Sequence, residues 1–440
     1  MPKQLYLLMT KIISLLFALY IFLLPWQSVF LLREVFIDDQ KWHYGTIGLY
    51  PATIIALILI IFLIIGRFLH KIHFAHIDQP TLFIGSFFIG FSLLSSLWSH
   101  DHGAAFYLTL LFLIGFLLYL ILPHNTISFK TATFLLLASA SLHSIIALVQ
   151  FLTQSIDSNV FLSISSHFSE SGATATITTT TGRWLRAYGG MTHPNILGGF
   201  LTLSILLGLQ SYAQMQKSHT IVRASLLIGL SCAFIGIIVT FSRSAWIALF
   251  LGLFTATIIL WRKKQFLFTK IQMPLLAFMS IGLLFLLFLP QLFYTRSIEQ
   301  THMTHNSFSD RAFSSEQAKE LVQSAPLLGI GRGNMTLLSY EESDDHQKQI
   351  WQYQPVHNVF LLIFAELGII GFFSFLTLLS IIVHTLWRAS KLHPVTHAFF
   401  GSICTAFLVI AFFDHWLITS HFGILFFWLL MTLYHKTSHH

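Results

Sequence analysis

Long apolar runs recur through this 440-residue chain, and a run of roughly 17 residues or more is what a helix needs to cross a bilayer. They fall near 5–24, 47–65, 81–97, 104–122, 131–153 and 193–211, then near 224–241, 244–261, 274–290, 358–387, 395–414 and 420–435. A bilayer core offers no water to backbone groups, so each run must close its own hydrogen bonds as a helix. The expectation is an all-α, polytopic membrane protein of about 12 transmembrane helices. Composition agrees, with 55% hydrophobic and only 9% charged residues, against about 25% charged in a soluble domain. No long polar region divides the chain, so residues 1–440 read as a single transmembrane domain. The first run, flanked by Lys3 and Lys11, is followed by Pro25-Trp26-Gln27 with no small-x-small cleavage site. It reads as an uncleaved first span.

An even number of spans puts both termini on one side, and the distribution of basic residues selects which. With the termini cytoplasmic, the inner loops hold Lys3, Lys11, Arg67, Lys71, Lys130, Lys217, Arg223, Arg262, Lys263, Lys264, Lys270, Arg388, Lys391 and Lys436. Asp78 is the one acid among them, and every other acid except Glu366 and Asp414 falls in an opposite-side loop. The formal charge of +7 is therefore topological, and no nucleic-acid partner is implied. The two cysteines, Cys232 and Cys404, lie inside apolar runs, which excludes a disulfide framework and a CxxC metal site.

The extracytoplasmic loops differ in kind. Residues 25–46 are short and mixed. Residues 154–192 contain Ser171-Gly172-Ala173-Thr174 and a threonine tract to Thr181, a composition that predicts a flexible loop. Residues 291–356 form the one large loop, expected to carry short helices and to pack over the site. Within it Ser309 to Ser324 reads as an amphipathic helix with Phe313, Ala318, Leu321 and Val322 as apolar contacts. The loop ends at Gln354-Pro355-Val356-His357-Asn358, and an apolar run follows, broken only by Glu366, Gly368 and Gly371. His357 thus stands at the mouth of a membrane helix, where an uncharged imidazole is suited to take a proton from a hydroxyl. Glu366 lies nine residues on, on the opposite helix face and about 13 Å deeper; it reads as structural, pairing with another helix. Gly368 and Gly371 permit close helix approach.

Several arginines sit in settings that suit an anion. Arg243, in Ser242-Arg243-Ser244, occupies a tight turn where serine would cap the next helix. Arg186 precedes His193-Pro194-Asn195, where proline marks another helix start. Arg311 begins the loop helix. Arg332 lies in Leu328-Gly329-Ile330-Gly331-Arg332-Gly333-Asn334, whose backbone N–H groups could form an anion-binding nest. Helix amino ends carry free N–H groups and partial positive charge, and the guanidinium fork bonds two phosphate oxygens at once. Together these describe a polyanion site. Metal chemistry is weakly signalled. Glu341-Glu342-Ser343-Asp344-Asp345-His346 reads as a solvated acidic run, and His100-Asp101-His102 has no second cluster at ligand spacing. No metal and no cofactor are expected.

His357-Asn358, nine residues, then Gly368-Ile369-Ile370-Gly371 resembles the HN-x9-GxxG signature of the bacterial O-antigen ligase superfamily. That superfamily also holds O-antigen polymerases and O-linked oligosaccharyltransferases. The Ser242-Arg243-Ser244 turn, the helix opened by Asp310-Arg311, the Pro326 to Gly331 turn and His193-Pro194-Asn195 are similar to further landmarks, in the family's order. The resemblance spans roughly residues 183–372. It implies a metal-independent glycosyltransferase of the bacterial inner membrane, working on the periplasmic face. The donor would be a polyprenyl-diphosphate-linked glycan and the acceptor a hydroxyl-bearing glycolipid, or a second glycan for a polymerase. His357 resembles the base; Arg243, Arg311, Arg186 and Arg332 resemble diphosphate ligands; Asn358, His193 and Asn195 would support them. The reading from another class is a polysaccharide or lipid transporter. Coupled transporters keep ionisable groups at mid-membrane, where this chain offers only Glu366 and Asp414.

Overall fold

The computed structural model describes residues 3–37, 39–69, 79–122, 126–171, 174–180, 182–216, 218–297, 302–342, 350–391 and 393–437. Lys71, Asp78, Lys217, Gly172, Ala173, Thr181 and Ser343 to His346, which entered the sequence reading, lie outside them. The helices are α1 Lys3–Leu23, α2 Pro51–Phe68, α3 Gln79–Leu94, α4 His102–Ile121, α5 Phe129–Thr153, α6 Pro194–Gln214, α7 Thr220–Thr240 and α8 Arg243–Arg262. They continue with α9 Leu267–Phe288, α10 Pro290–Ser297, α11 His302–Ser324, α12 Met335–Glu341, α13 Val359–Ser390, α14 Pro394–Phe413, α15 Trp416–Thr419 and α16 His421–Thr437. Among the described residues, 10 helices are long and apolar enough to cross a membrane. Two shorter apolar stretches, Leu7–Leu23 and His421–His435, fall where the first and last of the expected dozen runs lie.

The bundle is built around α6, which is apolar on every side and buried along nearly its whole length, as a central helix must be. α5, α7, α8, α9 and α14 pack around it, and α8 lies along α14. Between spans, short antiparallel strands order the loops: Phe30–Arg33 pairs with Ile47–Leu49, and Thr176–Thr179 with Gly182–Leu185. The second hairpin lies in the stretch whose composition predicted a flexible loop.

The long apolar run after His357 is not one regular helix. Gly368 breaks α13 with φ 61° and ψ −167°, a conformation that glycine adopts readily and other residues rarely do. Into the break fits the turn that follows α11. Ile330 N–H donates to Ala365 O at 3.1 Å, Gly331 N–H to Glu366 O at 2.9 Å, and Ile369 N–H to Pro326 O at 2.9 Å. A Cβ on Gly368 would meet Leu327 O at 2.3 Å, and one on Gly329 would meet Glu366 O at 2.4 Å. The glycines thus admit a loop into the helix, rather than a second helix against it.

Glu366 is buried at the same place. Its carboxylate receives the backbone N–H groups of Gly333 and Met335 and faces Arg332 Nη1 at 3.6 Å, an ion pair longer than a hydrogen bond. Arg332 Nη2 donates to Ile418 O at 2.9 Å. The partners of Glu366 are therefore the glycine-rich turn and the first residue of α12, a structural role as its sequence position predicts. The glycine-rich turn does hold an anion, and that anion is the protein's own carboxylate.

Candidate active site

Three helix starts meet at one end of the bundle. α6 opens at Pro194 behind His193, whose Nδ1 accepts from Asn195 N–H at 3.1 Å. α13 opens behind Asn358, whose Oδ1 accepts from Phe360 N–H at 2.9 Å and Leu361 N–H at 3.0 Å. α8 opens at Arg243 behind Ser242. Ser242 holds the cap position but makes no side-chain cap bond; its hydroxyl meets Ser244 Oγ at 3.2 Å. The residue before it, Phe241, is left-handed at φ 47°, which turns the chain sharply out of α7.

Arg186 ties two of these starts together. It is buried, donating through Nε to Thr240 O at 2.8 Å and through Nη2 to Asn195 Oδ1 at 2.7 Å. Ala187 N–H donates to Val239 O, so the chain leaving the strand Gly182–Leu185 sets Arg186 directly onto the α7–α8 turn. Arg296 of α10 reaches the same turn, with Nε donating to Phe241 O at 2.9 Å. Arg311 completes the group; it lies inside α11, which begins at His302, and not at the helix start that its sequence setting predicts. Arg186 is pushed down to about 10 by burial, with Arg243 and Arg311 adding to the effect. Arg296 is pushed down to about 8 by burial, then by Arg186, Arg243 and Arg311. A guanidinium keeps its proton in a protein, so these shifts record first the burial of the two arginines and then the nearness of like charges.

His357 and Asp414 lie beside this cluster. Asp414 caps α14; its Oδ1 accepts from His415 N–H at 2.9 Å and its Oδ2 from Asn195 Nδ2 at 3.3 Å. Burial works to raise its carboxyl, but His357, His415, His193 and Arg311 outweigh that and hold it below the usual carboxylate range. His357 and His415 meet edge to face, with ring centroids 5.1 Å apart at 76°. Burial, then His415 and Arg311, hold His357 well below the ordinary imidazole range, against an opposing pull from Asp414. His193 is pushed down to about 3, by burial first and Arg186 next. Near neutral pH both imidazoles are uncharged. Among the described residues, Nδ1 of His357 is buried and has no hydrogen-bond partner.

The structure thus gathers Arg186, Arg243, Arg311, His193, Asn195, His357 and Asn358, and leaves Arg332 apart, paired with Glu366. Sequence reasoning missed Arg296, which sits in a short polar stretch with no motif around it. It also missed the partnership of Asp414 and His415 with His357; the one available signal was an acid beside a histidine at the end of an apolar run. The side chain of Asp310 lies outside the described residues. Glu341 pairs with His100 at 3.0 Å, and Asp101 receives Arg33 through both oxygens while capping α4. No group of three or more His, Cys, Asp or Glu among the described residues could hold a metal ion.

A helical, polytopic membrane protein with a concentrated basic site at one mouth of its bundle is the class these observations define. The O-antigen ligase family model matches residues 228–376, from within α7 to beyond the break in α13. Over that stretch the chain is similar to the O-antigen ligase family. Arg243, Arg296, Arg311 and His357 fall inside the match, whereas Arg186, His193, Asn195, Asp414 and His415 fall outside it. No curated protein matches the chain.

Proposed function

We propose that this protein is a glycosyltransferase that moves a polyprenyl-diphosphate-linked glycan onto a hydroxyl acceptor, at the extracytoplasmic face of a bacterial inner membrane. The observation that carries the reading is the convergence of Arg186, Arg243, Arg296 and Arg311 beside the uncharged His357. In the reaction, the acceptor oxygen attacks the anomeric carbon while His357 takes the hydroxyl proton. The bond from that carbon to the diphosphate oxygen breaks, and the diphosphate leaves with the electron pair. Arg243, Arg296 and Arg311 meet the charge that grows on the leaving group, where fixed cations in a poorly solvated site act most strongly. Arg186, bonded to Thr240 O and Asn195, holds the α6 and α8 starts at the right spacing. His193, Asn195 and Asn358 keep the helix starts and Asp414 in place.

Two further features support a lipid-linked donor over a transported solute. Ile247, Phe250 and Phe254 are exposed on α8, at steps that keep them on one face with Arg243, so an apolar track runs down from the basic site. The two acids a transporter would use are committed: Glu366 to Arg332 and two backbone N–H groups, Asp414 to His415 and Asn195. The test is turnover by the purified protein of a polyprenyl-diphosphate glycan, read as release of polyprenyl diphosphate. Acceptor arms are a glycolipid core and a second donor glycan; the preferred arm separates ligase from polymerase. His357→Ala is expected to abolish release while the protein still binds donor. Near-normal turnover by that variant would overturn the assignment of the base.

A further inference from the structure

The segment between α1 and α2 lies far outside the family match, yet it reaches the reaction centre. Trp42 is buried in a small core with Ile350 and Tyr353, which Tyr340 and Phe313 flank. This fastens Val35, Ile37, Trp42 and Tyr44 to the chain just ahead of His357. Tyr44 is thereby set against His415, with ring centroids 6.0 Å apart at 66°. Tyr44, His415 and His357 form a file of three rings, each edge to face with the next.

His415 is the best-held member of that file. Its backbone N–H donates to Asp414 Oδ1 at 2.9 Å, and its Nδ1 meets Thr419 Oγ1 at 2.8 Å across α15. His357, in contrast, has no side-chain bond at Nδ1 among the described residues to fix its ring. A proton acceptor needs a defined ring plane, because proton transfer requires hydrogen-bond geometry with the attacking hydroxyl. We infer that His415, clamped between Thr419 and Tyr44, is the positioning residue for His357, setting the plane in which that ring meets the acceptor. This rests on the reading of His357 as the proton acceptor.

The charged and titratable groups facing the ring pair come from four elements: Asp414 at the end of α14, Arg311 of α11, His193 ahead of α6, and Tyr44. Burial is the first cause that holds His357 down and His415 the next, while Asp414 pulls the other way. The sign follows. In the unsubstituted protein, His357 stays neutral as pH falls through the ordinary imidazole value of about 6.5, so kcat/KM holds there and declines only at lower pH. His415→Asn keeps a polar group near Thr419 but removes the second imidazole. Its acid limb is expected to move up toward 6.5 by about one pH unit, with kcat lowered about tenfold while donor KM changes little. Thr419→Val should shift the limb in the same direction by less, without lowering the melting temperature. Tyr44→Leu should match Thr419→Val, and Tyr44→Phe, which retains the ring, should restore the original profile.

Labelling of His357 by diethyl pyrocarbonate, followed by mass spectrometry across pH in donor-free protein, reads the same shift without turnover. It serves if His415→Asn folds but turns over too slowly to profile. Should His415→Asn fail to fold, Thr419→Val and Tyr44→Leu carry the test. A pH profile and labelling midpoint unchanged in every folded variant would overturn the inference. If His357→Ala itself turned over normally, the reading of the base would fall with it. If His357→Ala is inactive while the His415 and Thr419 variants behave as the parent, only the positioning role falls.

Discussion

Arg296 shows how far a single residue can depart from what its sequence neighbourhood says. Tyr294-Thr295-Arg296 is an unremarked polar stretch, yet the fold carries its guanidinium onto Phe241 O and into the field of three other arginines. Placing like charges in a poorly solvated site costs stability unless a counter-ion arrives. Two effects of opposite sign should therefore follow from Arg296→Gln, whose amide can still donate to Phe241 O. The donor-free protein should melt at a higher temperature, because one repelling charge is gone. Donor affinity should fall by about 10- to 100-fold, the worth of one charge-assisted hydrogen bond of about 1.5–3 kcal/mol. Thermal scans with and without polyprenyl diphosphate measure both; a variant weaker in both respects would mean the arginine serves only to hold the α7–α8 turn. Arg243 and His357 were legible in the sequence because each stands at a helix start beside a recognisable turn, whereas Arg311 lies inside α11, which begins earlier, at His302. Arg296, Asp414 and His415 were not, because what makes them part of the site is burial against residues distant in the chain, which local composition does not encode.

At the scale of elements, the decisive structure is the break in α13 and the turn seated in it. The HN-x9-GxxG spacing was visible in the sequence as a motif, but its physical purpose was misread as helix packing. The structure shows Gly368 opening the helix so that Ala365 O and Glu366 O pair with the turn after α11. This connection fixes where α11, and so Arg311, sits relative to His357. Arg332 and Glu366 lock the same joint from inside, with relative exposures of 2% and 4%. Burying a charge pair is costly, and removing one partner leaves the other uncompensated, typically at about 3–5 kcal/mol. Arg332→Met and Glu366→Gln alone should therefore each lower thermal stability strongly, the first more, since it leaves a buried carboxylate on Gly333 and Met335 N–H alone. The double variant should recover part of the loss. Turnover per folded molecule should survive in the double variant, since neither residue lies in the basic cluster. A double variant that folds well and is inactive would return Arg332 to the donor site.

For the molecule as a whole, charge and burial together describe two unlike ends. α8 runs 20 residues from Arg243 to Arg262, about 30 Å at 1.5 Å per residue, which is the thickness of a bilayer core. At its far end Arg262, Lys263 and Lys264 are exposed, as expected of residues that only anchor a helix at a water-facing surface. At its near end the basic residues are drawn into the protein and crowd together. Both ends are basic, so charge alone does not tell them apart, and orientation rests on the excess of lysine and arginine at the Lys264 end. From that excess we propose that the Lys264 end is cytoplasmic and the His357 end faces outward. Ser324 and Lys264 are exposed and lie at opposite ends, so each can report on its own side. In a background with Cys232 and Cys404 replaced by serine, Ser324→Cys should react with a membrane-impermeant maleimide in intact spheroplasts. Lys264→Cys should react only after permeabilisation. The opposite pattern would place the basic cluster in the cytoplasm, and an acceptor on the outer face could then not reach it.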